Sequence, residues 1–322
     1  MKHIILIIIT VFILFSCKSY NQSNSDILSS NDLIVYVENP TQAGINQLLQ
    51  GRIVIMDITT KNKYYIDEGH KYVNYPVWAK KGKTLIYFSE ASNDKIREAL
   101  RKMIITKDIY AFDIQSNSEQ LLFSHLEKIE PKFYLMTNKI VSTDDSDVFL
   151  IPQLRTVYKI NSKNYEITKL LELDSVYHIS NINLSPDGKF LMLNVSNSSI
   201  KEIKKDYELL CYSIKDSSLS RISTCSISSN GGWDRESKSY IYRDWDDILN
   251  YNTITNSIDT LSLPIKNPSN ISYTKDGNII GLTQKAEGYP KPDEVFLYNQ
   301  KDKKLIWLTN DNIYKECLSI LF

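Results

Sequence analysis

INLSPDGKFLMLNVS, residues Ile182–Ser196, is a short strand ending in a large residue, then a polar turn, then an apolar strand. Ser185-Pro186-Asp187-Gly188-Lys189 has turn chemistry throughout: Pro presets φ, Asp can bond its own backbone, and Gly adopts φ > 0 without a steric cost. The plan recurs in YPVWAKKGKTLIYFS (Tyr75–Ser89), NGGWDRESKSYIYRD (Asn230–Asp244) and ISYTKDGNIIGLTQ (Ile271–Gln284). Trp78, Leu184, Trp233 and Tyr273 then share one position. Gly82, Gly188 and Gly277 share another, with Ser237 in the fourth copy. A weaker copy runs EPKFYLMTNKIVST from Glu130 and sets Phe133 in the large-residue position.

A second half-repeat follows each of these: an alternating strand, a short polar turn and another strand, the pattern of a hairpin. The six copies are GRIVIMDITTKNKYYID from Gly51, KDIYAFDIQSNSEQLLFS from Lys107, RTVYKINSKNYEITKLLE from Arg155, YELLCYSIKDSSLSRIST from Tyr207, DILNYNTITNSIDTLSLP from Asp247 and DEVFLYNQKDKKLIWLTN from Asp293. Four antiparallel strands repeated in this way predict an all-β fold, a six-bladed β-propeller of four-stranded antiparallel blades. The ends agree. LIVYVEN from Leu33 opens the first blade without an innermost strand, and the chain finishes on the apolar run ECLSILF (Glu316–Phe322). Left exposed, that run would be an aggregation hazard; as the missing inner strand it closes the ring.

The pattern resembles the TolB-like propellers, whose blade signature centres on a W-S-P-D-G-K turn. Ser185–Lys189 is a close copy, Thr274-Lys275-Asp276-Gly277 a partial one, and Ala79 to Lys83 a looser one. The resemblance covers nearly all of residues 31–322 and implies a single propeller there. EGYPKPDEVFLYNQKDKKLIWLT (Glu287–Thr309) also resembles the last propeller blade of prolyl-oligopeptidase-type peptidases. With the chain ending at Phe322, no hydrolase domain with a Ser-Asp-His triad is expected beside it.

The N-terminus reads as an address. Lys2 and His3 precede an apolar run from Ile4 to Phe15, followed by Ser16 and Cys17. That run is too short for a membrane span, which needs about 20 residues, and fits a secretory signal. Leu14-Phe15-Ser16-Cys17 resembles a bacterial lipobox, although Phe15 is bulkier than usual there. The resemblance implies a signal peptide over 1–16, acylation of Cys17, and a tether over 17–30 whose Ser/Asn-rich composition suits a flexible linker. Lys18 after Cys17 favours the outer membrane by the same resemblance. Acyl chains would hold the protein to the bilayer.

Composition narrows the function. The chain of 322 residues carries 38 Lys+Arg and 38 Asp+Glu, so no basic excess points to nucleic acid. Neither G-x-G-x-x-G nor G-x-x-x-x-G-K-[ST] occurs, so no nucleotide cofactor is expected. G-x-S-x-G, H-E-x-x-H and the EF-hand loop are also missing, and the expectation is a protein that is not an enzyme.

Several residues are candidates for binding. His70, His125 and His178 each fall in the connection from one blade's outer strand to the next blade's inner strand, and hence on one rim. They lack the close spacing that presets a metal site, so no metal is expected. Asp246-Asp247 and the run Asp144–Asp147 lack EF-hand spacing and read as solvated turns; Lys80, Lys81 and Lys83 read as a soluble surface. The insertion 92–104 has Ile96, Leu100, Met103 and Ile104 at helical spacing after a Ser92 or Asn93 cap. With shorter segments at 44–50 and 199–205 it decorates the rim that carries the histidines. Leu100 and Met103 are therefore candidate contacts for an envelope protein or a secreted peptide. The alternative is a carbohydrate-binding or metal-dependent carbohydrate-active propeller using the central channel, with Trp245 stacking a sugar ring. Setting Cys17 aside, Cys211, Cys225 and Cys317 form no closed framework. Cys211 reads as a buried thiol, and a bond from it to Cys225 stays open.

Overall fold

The computed structural model describes residues 32–39, 51–66, 73–79, 84–90, 107–123, 139–143, 145, 148–164, 166–198, 207–225, 230–284, 292–311 and 313–321. The signal segment, Cys17, the tether, His70, His125, Phe133 and the insertion with Leu100 and Met103 lie outside them.

The described residues form six four-stranded sheets. Blade 1 holds β1 (Leu33–Asn39), β2 (Arg52–Asp57) and β3 (Lys63–Ile66); blade 2 holds β4 (Val73–Trp78), β5 (Thr84–Glu90), β6 (Lys107–Asp113) and β7 (Ser118–Phe123). Blade 3 is β8 (Val141–Ser142), β9 (Val148–Gln153), β10 (Thr156–Asn161) and β11 (Glu166–Glu172); blade 4 is β12 (Tyr177–Leu184), β13 (Phe190–Asn197), β14 (Tyr207–Ser213) and β15 (Ser218–Cys225). Blade 5 is β16 (Gly232–Trp233), β17 (Ser239–Asp244), β18 (Asp247–Asn252) and β19 (Ser257–Leu261). Blade 6 is β20 (Asn270–Tyr273), β21 (Ile279–Gln284), β22 (Asp293–Asn299) and β23 (Lys304–Trp307). The last strand, β24 (Tyr314–Ile320), pairs antiparallel with β1 and completes blade 1. This is the six-bladed propeller, with the ring closed by its C-terminal strand.

Each blade is sandwiched between two others, so its middle strands have no solvent face. Hence β9, VFLIPQ, is buried at every position, and β1 is buried from Leu33 to Glu38. The outer strands keep a polar face, as SEQLLF of β7 does. Six apolar clusters fill the six gaps between blades; Leu33, Val35 and Val37 meet Trp78, Leu85 and Tyr87 in one of them. Burial at about 25 cal/mol per Å² of apolar surface is therefore spread around the ring, with no single central core.

The turns behave as their residues require. Gly188 and Gly277 have φ of 72° and 75°, and Ser237 takes φ 60° in their place. Ser237 Oγ accepts the backbone N–H of Asp187 at 3.0 Å, linking the turns of blades 4 and 5. Blade 3 departs from the expected alignment. Thr143 N bonds Val148 O at 3.2 Å as Ala79 N bonds Thr84 O and Ser185 N bonds Phe190 O, both at 2.8 Å. Ser142, and not Phe133, thus occupies the position of Trp78 and Leu184. Register follows the apolar pair Ile140-Val141 ahead of a polar turn, not the aromatic residue.

Charge seals the closure. Lys315 of β24 has a fully buried side chain and reaches Glu294 of blade 6 at 3.0 Å and Asp311 at 2.5 Å. Lys63 bridges Asp311 at 2.5 Å and Glu38 at 2.7 Å, and Arg52 meets Glu38 at 3.1 Å. Burial opposes ionisation of Asp311, but hydrogen bonds from Lys315 and Lys63 hold its carboxyl down at about 2. Burial likewise disfavours the charge on Lys63; its bonds to Asp311 and Glu38 outweigh this and raise its pKa.

Candidate functional site

The inner strands of all six blades, β24, β4, β8, β12, β16 and β20, surround a central cavity of about 400 Å³. It lies toward the end where the first and second strands of blades 2 to 6 are joined, since Leu184, Ser185 and Pro186 line it and the start of β12 does not. The long connections leave from the other end.

Its wall mixes apolar surface with amide and hydroxyl groups. Trp78, Leu184 and Ile320 contribute the former; Asn183, Ser272 and Ser319 contribute the latter. Asn183 ties three blades together. Its Oδ1 accepts from Lys139 Nζ at 2.8 Å, its Nδ2 donates to Tyr240 Oη at 2.9 Å, and its carbonyl accepts from Trp233 Nε1 at 3.2 Å. Burial pushes the Tyr240 hydroxyl well above the usual phenol range, so it acts in this network as a neutral group. Lys139 and the exposed Arg235 bring positive charge to the lining.

Between blades 5 and 6 the inner strands touch backbone to backbone. Ile271 N donates to Asn230 O at 3.0 Å. A Cβ on Gly232 would come within 1.9 Å of Ser272 Oγ, and one on Gly231 within 2.7 Å of the Tyr240 hydroxyl. Glycine is used here for close approach and not for turning.

Two of the sequence-derived candidates, His178 and Trp245, fall elsewhere. His178 sits inside β12, at its second position, and not in the connection before it. This half-buried residue lies at the opposite end of the strand from the cavity, where its carbonyl accepts from Ser196 Oγ at 3.4 Å. Trp245 is at the β17–β18 turn, 54% exposed, and does not line the channel as the sugar-stacking alternative requires. Cys211 and Cys225 are both free and buried, and desolvation pushes each thiol up to about 11. No three His, Cys, Asp or Glu side chains converge on a metal-sized site among the described residues. Sequence reasoning missed Asn183, Lys139 and Arg235, because a channel lining is assembled from a few residues of every blade, far apart in the sequence. Lys315 and Glu38 did carry a signal, each being a charge inside an apolar strand.

No protein-family model and no curated protein matches the chain. Solved structures do. TolB from Acinetobacter baumannii superposes with a TM-score of 0.63 at 13% identity, over 90% of this chain and 66% of that one. The fold is that of a TolB-like propeller. A protein assigned as TolB from Agrobacterium tumefaciens gives 0.57 at 11% identity, over 88% of this chain and 90% of that one. An oligogalacturonate lyase in complex with manganese gives 0.53 at 9%, over 76% of this chain and 70% of that one. This TolB-like propeller thus spans 66% of the length of the Acinetobacter protein, and shares its architecture with proteins that do different things.

Proposed function

We propose that this TolB-like propeller is a lipid-anchored, non-catalytic binding protein of the bacterial envelope, seating a protein or peptide partner. The observation that carries the reading is the cavity ringed by six inner strands, with indole and aliphatic surface alternating with Asn and Ser groups. Such a wall offers an extended segment both burial and hydrogen bonds, and its volume is that of a modest ligand pocket. The Ser185–Lys189 turn supports the TolB comparison. The lipobox-like Leu14–Cys17 supports the anchor, and Lys18 the outer membrane.

The test is a crosslinked pull-down of the native lipidated protein from solubilised membranes, read by mass spectrometry. A stoichiometric envelope partner is expected, with capture falling at least tenfold in Arg235→Glu, an exposed change at the cavity that leaves the blades intact. Capture indifferent to Arg235→Glu would remove the cavity from the reading, and absence of any reproducible partner would remove the scaffold role. The carbohydrate alternative keeps one supporting observation, a cavity of about 400 Å³ that also suits a small ligand.

A further inference from the structure

We propose that the tip of the β17–β18 turn is an interaction surface for a cationic segment of a partner protein, with Trp245 as its aromatic anchor. β17 ends at Asp244 and β18 starts at Asp247, so Trp245 and Asp246 are the two central residues of a tight hairpin turn. Trp245 has φ 51°. Tight hairpin turns fill such a position with Gly, Asn or Asp, because a bulky side chain there crowds the backbone. Here it holds the largest side chain available, and that side chain is 54% exposed. Burial therefore does not explain the residue.

The strained turn is held firmly. Arg243 Nε donates to Trp245 O at 2.5 Å, while its other nitrogens reach Pro268 O at 3.2 Å and Asn267 Oδ1 at 2.9 Å. The turn is thereby strapped to the connection that leads into β20. An aromatic ring presented this way is ordered before any partner arrives, which lowers the entropic cost of association.

Charge sets the sign of the partner. Asp244 lies directly opposite Asp247 in the ladder, with Asp246 between them in the turn. Like charges facing across a strand pair oppose folding, so this turn gives up stability twice, at its backbone and at its closing pair. Asp244, Asp246 and Asp247 thus place three carboxylates within four residues at the turn. Among the described residues the other exposed aromatic ring, Tyr65, is already covered by Arg52, whose guanidinium carbon is 4.2 Å from the ring centre. No cation or ring covers Trp245 among the described residues. An indole face flanked by carboxylates fits a Lys ammonium or Arg guanidinium, and Trp is favoured at the centre of protein interfaces.

The inference deepens the binding reading and rests on it only in taking the partner to be a protein. It is tested without that partner, by titrating hexalysine into the full chain by calorimetry. Wild type is expected to bind, and binding is expected to weaken as salt rises. Trp245→Gly should weaken it at least tenfold while the melting temperature stays level or rises, because Gly accepts this φ. Asp246→Asn with Asp247→Asn should weaken it and flatten the salt dependence. Hexalysine that ignores wild type, or binds Trp245→Gly equally well, overturns the proposal. So does neutral cellotriose binding in a Trp245-dependent way while hexalysine does not. A failed membrane pull-down leaves these outcomes as they are, so the two readings can fail separately.

Discussion

Ser237 does with a hydroxyl what Gly188 and Gly277 do with the lack of a side chain. It bears the left-handed backbone at φ 60° and uses Oγ to take the Asp187 N–H from the preceding blade. Ser237→Ala keeps the strain and loses the bond, and should cost about 1–2 kcal/mol in urea denaturation. Ser237→Gly relieves the one while losing the other and should be close to neutral. The glycines divide in the same manner. Gly277→Ala meets open space, so only the backbone resists, by about 1 kcal/mol. Gly232→Ala drives a methyl into Ser272 and should cost about 1–3 kcal/mol, the range for overpacking. Equal losses at the two sites would mean that the inner strands of blades 5 and 6 are not in the contact described. The buried thiols of Cys211 and Cys225 should resist maleimide at pH 7 in the folded protein and react once it is unfolded, since burial holds both up to about 11.

Among the elements, β24 carries the closure. Its ladder to β1 is interrupted by a register shift between Val35 and Val37, so backbone pairing alone is imperfect there. Lys315 compensates by binding Glu294 of blade 6 and Asp311 together. Removing one partner of such a buried set strands the others, and Lys315→Met should destabilise the protein by about 3–5 kcal/mol. Lys315→Met combined with Glu294→Gln should recover part of that loss, and a double-mutant cycle by urea unfolding measures how much. A purely additive pair would show that the ion pair contributes nothing to the seam.

For the whole ring, the seam sets the response to pH. Asp311 has its pKa lowered from 3.8 to about 2, so it binds fewer protons in the folded than in the unfolded state. Its contribution is present above 3.8 and is lost as pH falls toward about 2. Lys63, raised from 10.5, contributes fully below that value and loses its share as pH climbs through its higher folded value. Melting temperature should thus hold level across neutral pH as far as this seam is concerned and drop on the acid side. Asp311→Asn should remove part of the acid drop; an unchanged acid limb would place the titrating group elsewhere.

The amino-acid sequence by itself determined the blade count, the six hairpins and the closing role of the C-terminal strand. These rest on local periodicity and turn chemistry, which Ser185–Lys189 and its copies display within a few residues of each other. It also offered Trp245 as a binding residue, though for a sugar in the channel and not for the hairpin tip where the structure places it. Tertiary structure alone decided that Ser142 and not Phe133 fills the inner position of blade 3, because register is set by the partner strand. It alone gathered Lys139, Asn183, Arg235 and Ser319 around one cavity, and Glu38, Lys63, Asp311 and Lys315 around one seam. Residues so far apart in the chain meet only because each blade has the same width and the ring returns on itself, and that distance relation is a property of the closed circle.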